Sequence, residues 1–133
     1  MAYFERKTVS IATLVTSSGI GYSDGVANGY VHSIAYNPTT TLGPNFPAGY
    51  VATFIAEVSG AVIATLNSPA TSGWAIYPRT AVCTSSGGSL YWGTSSGGNL
   101  AAERVPLVNE RIQAIVTVAG SSHFGDFYVY VGG

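Results

Sequence analysis

The amino-acid sequence predicts an all-β domain: a two-sheet β-sandwich with jelly-roll or Greek-key wiring and seven to nine short strands, an open barrel being the alternative. Three observations carry this expectation. Apolar residues recur with a period of two in short segments. Clusters of Gly, Pro, Asn and Ser break the chain at intervals of about ten residues. No segment carries an apolar stripe at helical spacing over three or more turns.

In order, the first strand runs from Lys7 to Thr16, where Val9, Ile11 and Val15 alternate with Thr8 and Ser10 until Ser17-Ser18-Gly19 ends it. Gly21 to Val26 reads as a short strand or irregular edge, weakened by Gly21, Gly25 and Gly29. Tyr30 to Tyr36 is the next strand, closed by Asn37-Pro38, and Thr39 to Gly49 is a long loop broken at Gly43, Pro44 and Pro47. Tyr50 to Val58 and Ala61 to Leu66 form a hairpin through a two-residue Ser59-Gly60 connection. With Val58 opposite Ala61, that pairing puts Phe54, Ala56, Ile63 and Thr65 on one face and Ile55, Val62, Ala64 and Leu66 on the other. Both faces are apolar, so cover is needed on two sides.

Asn67 to Gly73 is a turn region, and Trp74 to Tyr77 a short strand terminated or placed at an edge by Pro78. Thr84-Ser85-Ser86-Gly87-Gly88 recurs as Thr94-Ser95-Ser96-Gly97-Gly98 around Ser89-Leu90-Tyr91-Trp92-Gly93. This makes residues 83–100 a Gly/Ser-rich loop or long hairpin with an aromatic tip. Glu103 to Asn109 is extended, with Pro106 in it. The closing stretch is read as a β-hairpin. Its first strand places Ile112, Ala114, Val116 and Val118 on one face; its second places Phe127, Val129 and Val131 on one face and Asp126, Tyr128 and Tyr130 on the other. The outward face is thus aromatic.

At 133 residues the chain fits a single domain, 1–133, with residues 1–6 as an N-terminal arm; it is long enough to bury about two-thirds of its unfolded surface. Charged residues are 8% of the chain, against about 25% in an ordinary soluble domain. Five basic and six acidic groups serve a monomer surface of roughly 6,600 Å². Either hydroxyls, amides and glycines do the solvating, or neighbouring molecules cover the surface. A net charge of −1 encodes no long-range attraction to nucleic acid or to an anionic membrane. No apolar run is long enough for a spanning helix, and the first residues do not read as a signal peptide. With Cys83 alone, an internal disulfide is excluded and synthesis in a reducing cytoplasm is expected.

No reaction chemistry is legible. Cys83, His32 or His123, and Asp24 or Asp126 supply residue types for a nucleophilic site, yet Cys83 sits among Ala81, Val82, Thr84 and Ser85 with nothing to lower its pKa. Two isolated histidines make no zinc site, and isolated aspartates make no calcium loop. Glu103 and Glu110 are each followed by an arginine, Arg104 and Arg111, which favours an ion pair and a low pKa over a glycosidase acid. The Gly-Gly pairs lack the following Lys-Ser or Lys-Thr of a phosphate loop. No catalytic residue, metal or cofactor is therefore expected. Sugar stacking on Trp74, Tyr91 or Trp92 remains an alternative to core packing for the first and interface anchoring for the other two.

The segments Trp74-Ala75-Ile76-Tyr77-Pro78-Arg79 and Val105-Pro106-Leu107-Val108-Asn109-Glu110-Arg111-Ile112 resemble a group of small tailed-phage virion proteins. In these a strand ending Tyr-Pro-Arg precedes a variable loop, a Pro-Leu step and a strand opening Glu-Arg-Ile. The resemblance implies a β-sandwich, often jelly-roll-like, that decorates or cements a capsid shell or otherwise serves in the head or tail. Together with the scarcity of charge it leads to the expectation of a decoration or cement protein on the outer surface of the virion, with the major capsid protein and copies of itself, as a dimer or trimer, for partners. A phage tail, receptor-binding or carbohydrate-binding module is the alternative. Under the first reading the expected contacts are Trp74, Tyr77, Tyr91, Trp92, Tyr128 and Tyr130, with Arg79 and Arg111 as hydrogen-bonding clamps at the rim.

Overall fold

The structure, a computed structural model, describes residues 4–13, 18–38, 45–67, 69–81, 102–118 and 123–132. Among the described residues eleven strands follow one another: β1 (Phe4–Ala12), β2 (Gly19–Tyr22), β3 (Ala27–Asn37), β4 (Val51–Ala56), β5 (Val62–Asn67), β6 (Trp74–Ile76), β7 (Thr80–Ala81), β8 (Ala102–Glu103), β9 (Pro106–Glu110), β10 (Ile112–Thr117) and β11 (Phe124–Gly132).

Pairing is nested and antiparallel throughout. β1 pairs with β11, β2 with β10, β3 with β6 and β4 with β5. Folding this ribbon of four pairs over itself sets them side by side as β1-β11-β3-β6 in one sheet and β2-β10-β4-β5 in the other. That is jelly-roll wiring. β9 pairs with the first part of β3, making the first sheet five-stranded, and β7 with β8 form a separate ribbon.

The core lies between the two sheets, because the inward positions of each strand are apolar. β11 supplies Phe127, Val129 and Val131, β10 supplies Ile112, Ala114 and Val116, and β4 supplies Ala52, Phe54 and Ala56, all buried. An aromatic cluster fills one end: Tyr36, Phe46, Tyr50, Phe54, Trp74 and Phe127 lie ring to ring, with Phe54 edge-on to Phe127 at 5.0 Å between centroids. Burying a side chain such as Phe127 completely stabilises the fold by about 1.5–3 kcal/mol, and its ring contacts add to that.

Several expectations are corrected. β10 and β11 are not a hairpin. Each is an inner strand of a different sheet, β10 between β2 and β4 and β11 between β1 and β3, so the chain crosses the sandwich between them. A period of two marks which side chains point inward, and it is the same whether two strands pair edge to edge or face one another across a core. The first of them ends at Thr117; Val118 adopts a φ of 56° and is exposed, not part of the inward row.

The β4–β5 turn is longer than two residues. Ala56 N–H donates to Ala61 O and Gly60 N–H to Ala56 O, both at 2.9 Å, so the loop is Glu57-Val58-Ser59-Gly60. Phe54 then opposes Ala64 and Ala52 opposes Leu66, with a register shift before Ile55 and Val62. Ile63 is the extra residue of this bulge and is buried, while Ala64 and Leu66 point inward and Val62 outward. Residues 4–6, expected in the arm, belong to β1, with Phe4 opposite Gly132; residues 1–3 lie outside the described residues. β3 begins at Ala27, ahead of the expected start at Tyr30.

Candidate interaction surface

Alternation turns every second residue of the five-stranded sheet away from the core. Cross-strand register arranges these residues in rows: Phe4, Gly132, Tyr30 and Pro106; then Arg6, Tyr130 and Ser33; then Thr8, Tyr128, Ala35 and Ala75; then Ser10, Asp126 and Asn37. Tyr128 and Tyr130 are half-buried on this outer face, as their alternation with Phe127, Val129 and Val131 requires. The Arg6 guanidinium lies 4.8 Å above the Tyr128 ring, where the ring's negative face attracts it. Arg6 and Asp126 are the ionic side chains in these four rows.

A bulge in β3 enlarges the aromatic part. Tyr130 opposes Ser33 but Val131 opposes Val31, leaving His32 as an extra residue. Its ring stands 4.8 Å from Phe4 and 5.7 Å edge-on to Tyr77, and its Nδ1 is 3.0 Å from Ser33 Oγ. Phe4 is 42% and Tyr77 61% exposed. Arg79 follows Tyr77, and its guanidinium donates to the carbonyls of Pro78 at 2.7 Å and His32 at 3.4 Å. Tyr77, Arg79, Tyr128 and Tyr130 are thus brought to one side of the molecule, together with Phe4, Tyr30 and His32. The last three were missed in the sequence. Phe4 was assigned to an arm, and nothing in the local pattern reveals a bulge at His32.

Trp74 and Arg111 are placed elsewhere. Trp74 faces inward opposite Tyr36, packs on Phe54 and Phe127, and its Nε1 donates to Tyr50 Oη at 2.9 Å. Its polar atom is engaged within the core, which removes it from the set of outward contacts. Arg111 sits beside the other sheet. It makes a two-pronged ion pair with Glu57, Nε to Oε2 at 2.6 Å and Nη2 to Oε1 at 2.9 Å, and its guanidinium covers the Tyr22 ring at 4.4 Å. Tyr91 and Trp92, with the whole 83–100 loop, lie outside the described residues.

Glu110 has a structural task. Its Oε1 accepts from the backbone N–H of Val58 at 2.9 Å and of Ser59 at 3.0 Å, and the Ser59 hydroxyl reaches both oxygens. The donation from Ser59 N–H, reinforced by the other donors and opposed by burial, holds the carboxyl below its ordinary pKa. A low pKa was expected from the sequence, but the cause is the β4–β5 turn and not the adjacent Arg111, whose partner is Glu57. Asp24 is likewise engaged, accepting from Thr8 N–H at 3.1 Å. Cys83 lies outside the described residues, and among those described no three His, Cys, Asp or Glu side chains converge as metal ligands would.

The outer face of the four-stranded sheet mixes aliphatic side chains with uncharged polar ones. Its rows are Tyr22, Gln113, Ile55 and Val62; Ile20, Ile115, Thr53 and Thr65; and Thr117, Val51 and Asn67. None of these carries a charge, and Ile20 and Val62 are largely exposed. Comparison of the chain with protein-family models, with curated proteins and with solved structures finds no match.

Proposed function

We propose that this jelly roll is a structural protein of a virion, a decoration or cement subunit that packs on the major capsid protein lattice and on copies of itself. The observation that supports this reading best is the outer face of the five-stranded sheet, where Tyr30, Tyr77, Tyr128 and Tyr130 with Phe4 and His32 surround only a few ionic groups. Tyrosine gives a protein interface a large apolar contact at low entropic cost together with a hydroxyl for the partner's polar groups. Scarcity of charge suits a permanent contact, because an ion buried without its partner costs several kcal/mol. Repetition around a shell multiplies a moderate contact into firm retention. The wiring alone does not choose the function, since jelly rolls serve capsids, lectins and enzymes alike.

Mixing the purified protein with empty phage heads and pelleting them tests the reading. The wild type is expected to pellet with heads, and the double variant Tyr128→Ala, Tyr130→Ala to stay in the supernatant with its thermal unfolding little changed. Binding to immobilised glycans without binding to heads would overturn the proposal in favour of a carbohydrate-binding or receptor-binding module.

A further inference from the structure

We propose that β5 is a dimerisation edge, pairing antiparallel with β5 of a second copy about a two-fold axis through Thr65. The proposal refines the self-association part of the function above and is tested separately from shell binding.

The other sheet edges are each blunted. β1 carries Glu5, Arg6 and Lys7, the first and last of these in an ion pair at 2.8 Å. Its open side is met by the chain after β2: Val9 bridges to Ser23, and Thr8 and Asp24 exchange hydrogen bonds. β2 is four residues long and folded against β1 so closely that a Cβ on Gly21 would lie 2.6 Å from Ser10 O. β6 has three residues and is followed by Pro78, and β9 opens with Pro106. β5 has none of these devices. Val62-Ile63-Ala64-Thr65-Leu66-Asn67 holds no charge and no proline, and no strand lies beyond it among the described residues. Natural sheets seldom leave such an edge bare, because its unpaired N–H and C=O groups template another strand.

The hydrogen-bond phase selects the register. Ala56 N–H donates to Ala61 O, toward β5, while Glu57 N–H donates to Arg111 O, toward β10. Alternation along β4 therefore turns the backbone groups of Phe54 and Ala52 to Ala64 and Leu66, and leaves Thr53 opposite Thr65 as a pair without mutual bonds. The N–H and C=O of Thr65 then point to the open side, as do those of Asn67. A two-fold axis at Thr65 makes it a mutually bonded pair with its own copy and sets Ala64 against Leu66. Among the in-phase registers this one keeps the longest ladder clear of the bulge at Ile63.

The side chains agree with that register. Ala64 and Leu66 both point inward and are only partly buried at the bare edge, so placing each against the other extends the core across the axis. On the outer face the two uncharged surfaces join, and no like charges meet, because these rows contain none. A second copy satisfies phase, facing and charge at once, as an isologous contact must.

Sedimentation equilibrium over a concentration series tests this, using Thr65→Lys, Val62→Lys and Thr65→Val. Thr65 is exposed, so none of these disturbs the folded subunit. A lysine on the axis meets its own copy, and T65K is expected to weaken the dimer about tenfold or more, while T65V and V62K dimerise like the wild type. In a Cys83→Ser background, Thr65→Cys is expected to give an oxidised dimer, the facing Cα atoms of such a pair lying about 5.5 Å apart, within disulfide range. A wild-type monomer at every concentration overturns the proposal, as does a dimer indifferent to T65K. Pelleting both wild type and T65K with empty heads separates the two readings: a T65K monomer that still binds heads upholds the shell contact, and a wild-type dimer that T65K dissociates but that binds no heads upholds the edge alone.

Discussion

The indole of Trp74 donates its Nε1 hydrogen to the phenolic oxygen of Tyr50 at 2.9 Å, joining β6 to the residue that precedes β4 and so tying one sheet to the other. Burial pushes the Tyr50 hydroxyl up to about 12 despite the Trp74 donor, and burial likewise raises Tyr36. Each is a phenol that the folded protein keeps neutral after the unfolded chain has begun to ionise. Their contribution is complete below the unfolded value of 10.0 and is lost as pH rises toward the folded value. Tyr50→Phe is expected to cost about 1 kcal/mol at neutral pH by leaving Nε1 without its acceptor, and to flatten the alkaline limb of a stability curve. Chemical denaturation between pH 7 and 12 measures both effects; equal alkaline sensitivity in variant and wild type would contradict the assignment.

Glu110 gives the opposite limb. Its folded pKa lies below the ordinary 4.5, so its stabilisation is fully present above that value and disappears as pH falls through the folded one. Glu110→Gln keeps the shape but presents one weak acceptor to the Val58 and Ser59 N–H groups. The variant is expected to melt at a lower temperature than the wild type at pH 7, and the gap should shrink as both are acidified. A gap that persists unchanged at pH 2 would rule out ionisation as its source.

Gly125 in β11 is required by close approach. A Cβ there would overlap Cε2 of Phe46, which lies flat within the aromatic cluster and is itself buried. Gly125→Ala is expected to cost about 1–3 kcal/mol, the usual penalty for overpacking. Phe46→Leu combined with it should recover part of the loss, measurable as a non-additive double-mutant cycle.

Val118 strains the backbone. A β-branched residue at a φ of 56° is costly, and its exposed side chain gains little in return. Val118→Asn, and to a similar degree Val118→Gly, should raise stability by about 1 kcal/mol, read from the urea midpoint at constant slope.

Much of this architecture is legible from the residues. Val9 and Ile11 in β1, Ile112, Ala114 and Val116 in β10, and Phe127, Val129 and Val131 in β11 are buried as alternation demands, and Tyr128 and Tyr130 face outward. Which strand lies beside which is not legible, because alternation is a property of one strand and pairing a property of two. The bulges at His32 and Ile63 are equally silent: each shifts register by one residue without a glycine or proline to mark it. Hence Ala64 and Leu66 read as sharing a face with Ile55 and Val62 when they lie inward opposite Phe54 and Ala52, and His32 reads as an ordinary strand residue when it completes an aromatic surface. Arg111 followed Glu110 so closely that an ion pair between them looked natural, yet adjacent side chains on a strand point to opposite faces.

The nested pairing bears on how the molecule is made. Phe4 is matched with Gly132 and Ala12 with Phe124, so β1 waits for β11, made more than a hundred residues later, before these hydrogen bonds can form. Local β4–β5 pairing can come first, but closure must span most of the polypeptide, and loop-closing entropy makes such long-range topology slow to fold. Until β11 is made, the Tyr- and Val-rich ribbons remain open to one another on neighbouring nascent chains. Acquisition of the native state consequently waits for synthesis of the domain's last strand, and low expression temperature should favour it over aggregation.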